Sequence, residues 1–307
     1  MVDKPAPLNE TSWYSSAWLI GEAALAFKEH SLALFPIPTG LPQVMAFSLA
    51  PPEPLRTPIG GRLFRQRVDI CCRAEPADLK ELTEPPLNAL ADLLAFHTLR
   101  PVAVQQGPFT TAPPGVTDGS HRSIGFGTPG RGTHEAPVTI PPDIPATTAR
   151  LLDSQNPAQS ERLLRSMRWL RRSFLATDPF LEFSALAFAL EAIAALLPGA
   201  TGGRASTSER LRSFALTVPQ ITELRWKRVG GLRHTLFHGG ITETSKSSEM
   251  VLRASPIARL VLIAALRAAL SLPPDGTPEL PRLLDGYVTD DRLEVNNIVR
   301  GQPPDAL

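Results

Sequence analysis

Proline is spread so unevenly along this chain that it sets the first limit on how the chain can fold. Much of it, out of 32 prolines, lies in the first half and in the C-terminal tail, leaving a Pro-poor block between Asp178 and Ser271. Proline inside a helix removes a backbone donor and clashes with the preceding turn, so this block is the part best suited to helices. The contrast predicts a domain boundary. At 307 residues, 43% of them hydrophobic, the chain is long enough for two cores.

In the first half, Val68, Ile70 and Cys72 alternate with Arg67, Asp69, Cys71 and Arg73, the period of a half-buried strand. Met45, Phe47 and Leu49 suggest another. A helical spacing follows at Leu87, Leu90 and Leu94, and the apolar run from Pro101 to Val104 reads as a further strand. The first half is therefore expected to be a small α+β domain. Residues 107–147 are dense in Gly, Pro, Thr and Ser, a composition that favours a linker or long loop over a helix.

From Ala149 the texture becomes helical. Leu163, Met167, Leu170 and Phe174 mark a core face, while Arg162, Arg165, Arg168 and Arg172 share another surface of the same helix. Asp178 and Pro179 read as cap and first turn for the apolar stretch Phe180 to Leu197. Ser206 with Glu209 fits a capping box. Pro219 is expected to open a helix that Gly230 and Gly231 interrupt before the segment Leu232 to His238, with Gly239 and Gly240 as its C-terminal caps. Ser255 and Pro256 are expected to start a last helix through Leu270. The reading is an N-terminal α+β domain with its linker (1–147), an all-α bundle of four or five helices (148–272) and a Pro-containing tail (273–307).

A formal net charge of +1 announces no overall affinity for nucleic acid, so a basic footprint must be local. Between Glu161 and His238 twelve basic residues face six acidic ones, a local excess of +6 that includes Arg168, Arg172 and Arg228. Such a stretch is expected to attract a phosphate backbone. The two cysteines, Cys71 and Cys72, are adjacent, a spacing poorly suited to a disulfide and not that of a metal site. The N-terminal residues lack the order of a signal peptide, and no run reaches the length of a membrane span. A soluble, cytoplasmic protein is expected.

Chemistry concentrates in Gly231-Leu-Arg-His-Thr-Leu-Phe-His-Gly-Gly240. Arg233 offers a planar donor fork matched to phosphate oxygens. His238, in a last helical turn, faces the negative end of the helix dipole, which favours imidazolium. Their offset of five residues sets them about 140° apart on a helix, able to border one cleft without pointing the same way. RNA carries its own nucleophile in the 2′-hydroxyl, so one residue that moves a proton and one that stabilises charge suffice for its cleavage, without a metal or cofactor. The plainer alternatives are that His238 is only a favourable end charge and that Arg233 pairs with a carboxylate such as Glu191, a charge in an otherwise apolar stretch of helix. His234 and His238 are four apart, a spacing used by zinc sites, but no third ligand lies near in sequence.

This segment resembles the HEPN superfamily, whose hallmark is an Arg, four to six residues and a His, often with a polar residue after the Arg. His234 takes that polar position. The His-Gly-Gly ending, with Arg168-Trp-Leu-Arg-Arg-Ser173 and Ala189-Leu-Glu-Ala-Ile193 upstream, is similar to the Apea-like branch. Trp226 and the Gly230-Gly231 pair depart from that pattern, which more often has a Tyr and one continuous helix. The resemblance spans about residues 150–272 and implies a metal-independent endoribonuclease acting in phage defence or as a toxin. It further implies a homodimer with two Arg-His pairs at its interface, and either a trigger protein or an antitoxin as partner. Non-catalytic members imply an alternative, a nucleotide-binding or dimerisation module. The remaining histidines, His30, His97, His121 and His134, have no partner spacing.

Overall fold

The structure is a computed structural model that describes residues 12–26, 45–56, 62–73, 79–110, 138–141, 143–197, 206–238 and 245–278. Alternating apolar residues commit the first half to a sheet. Strands β1 (Ser12–Gly21), β2 (Ala23–Leu25), β3 (Met45–Leu49), β4 (Glu53–Arg56) and β5 (Arg62–Arg73) precede helix α1 (Leu79–Thr98) and strands β6 (Val102–Thr110) and β7 (Val138–Ile140). The main sheet is antiparallel in the order β3-β5-β1-β6, with β4 also paired to β5; β2 and β7 form a separate parallel pair. Ala17, Leu19 and Val68 bury against Leu87, Leu90, Ala91 and Leu94 of α1. Gln66, fully buried in β5, satisfies its whole amide: Oε1 accepts from Leu25 N at 2.9 Å, and Nε2 donates to the carbonyls of Leu25 and Ala50. That clamp ties β2 to the main sheet without leaving an orphaned polar group.

Six helices follow: α2 (Asp143–Asp153), α3 (Pro157–Leu175), α4 (Pro179–Ala194), α5 (Thr207–Ala215), α6 (Glu223–His238) and α7 (Ser245–Ala269). An α+β half followed by an all-helical half is the architecture that the sequence pattern predicts, with more helices than expected. Asp178 caps α4, its carboxylate accepting from the amides of Phe180 and Leu181, and the capping box of Ser206 and Glu209 starts α5. Burial on almost every side of α4, at Phe183, Leu186, Ala187, Leu190 and Ile193, makes it the centre of the bundle, between α3 and α7.

Three helix boundaries differ from the sequence reading. Pro219 does not open α6, because Gln220 sits in the left-handed region at φ 70°, where no right-handed helix can pass. The helix starts at Glu223 instead, after Thr222, whose Oγ1 accepts from Arg225 N at 3.3 Å. Gly230 and Gly231 do not interrupt it. Their propensity cost of about 1 kcal/mol each is offset by burial of the flanking Trp226, Val229 and Leu232 in the bundle core. Ser255 and Pro256 do not start α7 but lie within it. Proline removes one donor there, yet Val251, Ala254, Ile257, Ala258, Val261 and Leu262 are all buried on the helix, and their packing outweighs one lost hydrogen bond. The segment expected to be linker also contributes structure at both ends, since β6 runs to Thr110 and both β7 and the start of α2 fall before residue 148. Gly239, Gly240 and residues 279–307 of the tail lie outside the described residues.

The two halves share α1. Its Leu93 and Phe96 belong to the core of the helical half, while Leu87, Leu90 and Leu94 face the sheet. Asp92, fully buried on α1, accepts from Nε of Arg171 at 2.5 Å; Arg171 also donates to Asn88 Oδ1 at 2.7 Å and to the Val102 carbonyl. Burial pushes the Asp92 carboxyl up, against the pull of Arg171 and Arg168. No helix among the described residues is long and apolar enough to cross a membrane.

Candidate active site

Helix α6 presents Trp226, Val229 and Leu232 to the core, and the same side of the helix buries three arginines. Arg225 donates from Nη1 to the Gln220 carbonyl at 2.7 Å. Arg228 is 1% exposed, so it is not on the RNA-facing surface that the charge count suggested: its position, three residues after Arg225 and one before Val229, turns it inward. Arg233, one residue past Leu232, is 8% exposed at the edge of that buried side.

Three helices converge on Arg233. Its Nη2 donates to Ser208 Oγ of α5 at 2.5 Å, and its Nη1 lies 2.9 Å from Glu191 Oε1 of α4. That second contact is a charge contact without the alignment of a hydrogen bond, so Nη1 has no hydrogen-bond acceptor. Burial lowers the Arg233 pKa and the Glu191 carboxylate opposes the shift; the guanidinium stays charged in either case. Glu191 itself is 37% exposed, so the pair has one buried member and one that reaches solvent. Ser208 carries no signal in the sequence beyond lying in the first turn after a capping box. Only the packing of α5 against α6 brings it to the arginine.

His234, directly after Arg233, is exposed. His238 is the last residue of α6, and its side chain lies outside the described residues. The structure therefore brings together Arg233, Glu191 and Ser208 among the residues described, with His238 five positions further along the same helix.

The basic surface divides in the same way. Arg162, Arg165 and Arg172 of α3 are exposed, Arg165 pairing with Glu161 one turn earlier. Arg172 lies over the ring of Trp169, 4.5 Å from its centroid. Arg168 is 43% exposed and turns toward α1, with Nε 3.6 Å from Asp92 Oδ2. Among the described residues no group of three or more His, Cys, Asp or Glu side chains is placed to hold a metal ion.

Chemically, the Arg233 fork is held by a neutral hydroxyl and a partly exposed carboxylate. A phosphate offers the same pair of oxygens as that carboxylate, and could take its place without leaving the buried cation uncompensated. Comparison of the chain with protein families, with characterised proteins and with solved structures gave no match.

Proposed function

We propose that this protein is a metal-independent endoribonuclease whose helical half cleaves RNA by attack of a 2′-hydroxyl on the adjacent phosphate. The observation that carries the proposal is the guanidinium of Arg233, fixed in place by Ser208 and Glu191, five residues before a histidine that ends the same helix. In this reading Arg233 takes the negative charge that builds on the phosphate, and His238 moves the proton between the 2′-oxygen and the departing 5′-oxygen. The new bond joins the 2′-oxygen to phosphorus as the bond to the 5′-oxygen breaks. The products are a 2′,3′-cyclic phosphate and a 5′-hydroxyl. His234 serves as a positioning residue, and Arg168 and Arg172 contact the backbone of the RNA.

The HEPN-like motif extends the proposal to a cytoplasmic homodimer acting in phage defence or as a toxin, with the α+β half receiving a trigger or an antitoxin. A twofold axis would double an otherwise sparse pair of residues. Light scattering at micromolar concentration tests the dimer. A second reading, a non-catalytic RNA-binding or dimerisation module, is favoured by the burial of Arg233 and its engagement with Glu191.

Cleavage assays separate the two. Purified protein in EDTA should cut RNA, should spare an oligonucleotide with a 2′-deoxy or 2′-O-methyl sugar at the cut position, and should lose activity in Arg233→Ala and in His238→Ala while the fold remains. His234→Ala should be milder. Cutting of the 2′-deoxy substrate, or full activity in His238→Ala, would leave the module reading in its place.

A further inference from the structure

Helix α4 turns one strip of its surface away from the core. Leu181 is 62% exposed and Phe188 40%, and Ala192 and Ala195 continue the strip at helical spacing. Beside it, α3 carries Arg162, Arg165, Trp169 and Arg172 at steps of three, four and three, which puts them on one face. The two strips meet where the rings of Trp169 and Phe188 pack with centroids 4.9 Å apart, tilted by 33°. The result is a surface with two lanes, apolar along α4 and cationic along α3; its nearby acids Glu161, Glu182 and Glu191 are each paired with an arginine, Arg165, Arg259 and Arg233.

We infer that this α3–α4 face seats single-stranded RNA, with a base stacked on Phe188 in the apolar lane and phosphates on Arg162, Arg165 and Arg172. The charge of the cationic lane selects a polyanion, and the exposed ring selects one whose flat apolar groups are free to stack. A duplex fails the second requirement, because its bases are occupied in their own stack. The lane also leads toward the candidate site: Glu191, which contacts Arg233, lies three residues after Phe188 on α4, less than one helical turn away. The inference rests on the ribonuclease reading for why a strand should be led in that direction, whereas binding itself can be measured without cleavage.

The test uses the full-length protein and a fluorescein-labelled 2′-O-methyl oligoribonucleotide, which resists 2′-OH attack, read by anisotropy as a single strand and annealed to its complement. The wild type should bind the single strand more tightly than the duplex. Phe188→Ala should weaken single-strand binding by about tenfold, as expected for loss of one stacked base, and leave duplex binding unchanged. Phe188→Tyr should restore it, and Arg162→Glu with Arg165→Glu should lower the salt dependence. Phe188 is exposed, so the alanine variant should keep its fold by circular dichroism. Equal binding by wild type and Phe188→Ala would overturn the inference. So would conversion of a dimer to a monomer by Phe188→Ala with RNA affinity unchanged, since the face would then join two copies. A protein that never cuts RNA but loses single-strand affinity in Phe188→Ala would refute the ribonuclease reading and sustain this one; cleavage with an unaffected variant would do the reverse.

Discussion

Acidification should reveal a partly buried histidine at the junction of the two halves. His97 lies in the last turn of α1, with Nε2 2.7 Å from Thr148 Oγ1 of α2. The C-terminal end of a helix ordinarily favours imidazolium, but burial, together with the positive charge of Arg267, lowers the His97 pKa from 6.5 to about 4. In the unfolded chain the ring titrates near its ordinary value. Between pH 6.5 and pH 4 the unfolded chain therefore binds a proton that the folded protein refuses, and stability falls as the pH drops through that window. Above it the ring is neutral in both states and contributes no slope. At about 1.4 kcal/mol per pKa unit, a shift of about 2.5 units costs the folded state about 3 kcal/mol by pH 4, a large share of an ordinary domain's stability. Urea denaturation from pH 7.5 to pH 4 measures this directly, with His97→Gln as the reference because an amide can still hydrogen-bond Thr148 and does not titrate. The wild type should lose about 3 kcal/mol more than the variant over that range. Parallel curves would show that the imidazolium is accommodated and that the reasoning from burial is wrong.

Three other perturbations have definite signs. Gly230→Ala should stabilise the protein by about 1 kcal/mol, read as a higher melting temperature, because an added Cβ meets nothing within 4 Å and alanine is the better helix former. Arg171→Met should cost about 3–5 kcal/mol in chemical denaturation, since it strips Asp92 of its closest counter-charge inside the protein; Asp92→Leu added to it should recover much of the loss. Glu191→Gln should tighten RNA binding, seen as a lower KM in the cleavage assay, because the neutral amide competes less with phosphate for the Arg233 fork.

Periodicity made most of the fold legible and failed where tertiary burial overrode local chemistry. Strand β5 and helix α3 were readable because their sequences keep a clean period: in β5 Gln66 and Val68 are buried and Arg67 exposed, and α3 buries Leu163, Met167 and Leu170 while Arg162, Arg165 and Arg172 are exposed. Strand β1 was not, although it is a central strand of the main sheet. Its residues Ser15 and Ser16 interrupt the apolar pattern, and Ser15 is buried because its hydroxyl donates to the Gly107 carbonyl of β6. Pro256 and the Gly230-Gly231 pair mark breaks by any local rule. They lie inside helices because those helices are lined with core residues on both sides of the weak point.

The candidate site shows the same limit from the side of charge. A count of arginines assumes that each one reaches solvent, yet Arg171, Arg225, Arg228 and Arg233 are all buried. Two of these have definite internal tasks: Arg171 joins the two halves through Asp92, and Arg225 fastens the turn before α6 by its bond to the Gln220 carbonyl. A buried guanidinium is tolerated only where oxygen acceptors compensate it, and for Arg171 and Arg233 those acceptors come from distant parts of the chain, 79 residues away for Asp92 and 25 for Ser208. No local pattern encodes such a meeting. Arg162, Arg165 and Arg172 remain exposed on α3, as do Arg212 and Lys227 elsewhere, so fewer of the counted cations face solvent than the sequence suggests. Arg233 differs from Arg171 in that its carboxylate partner, Glu191, is itself partly exposed. An anion arriving from solvent can compete for that contact, whereas it cannot reach the fully buried Asp92, and this difference is the physical ground for proposing Arg233 rather than Arg171 as the cation that meets a phosphate.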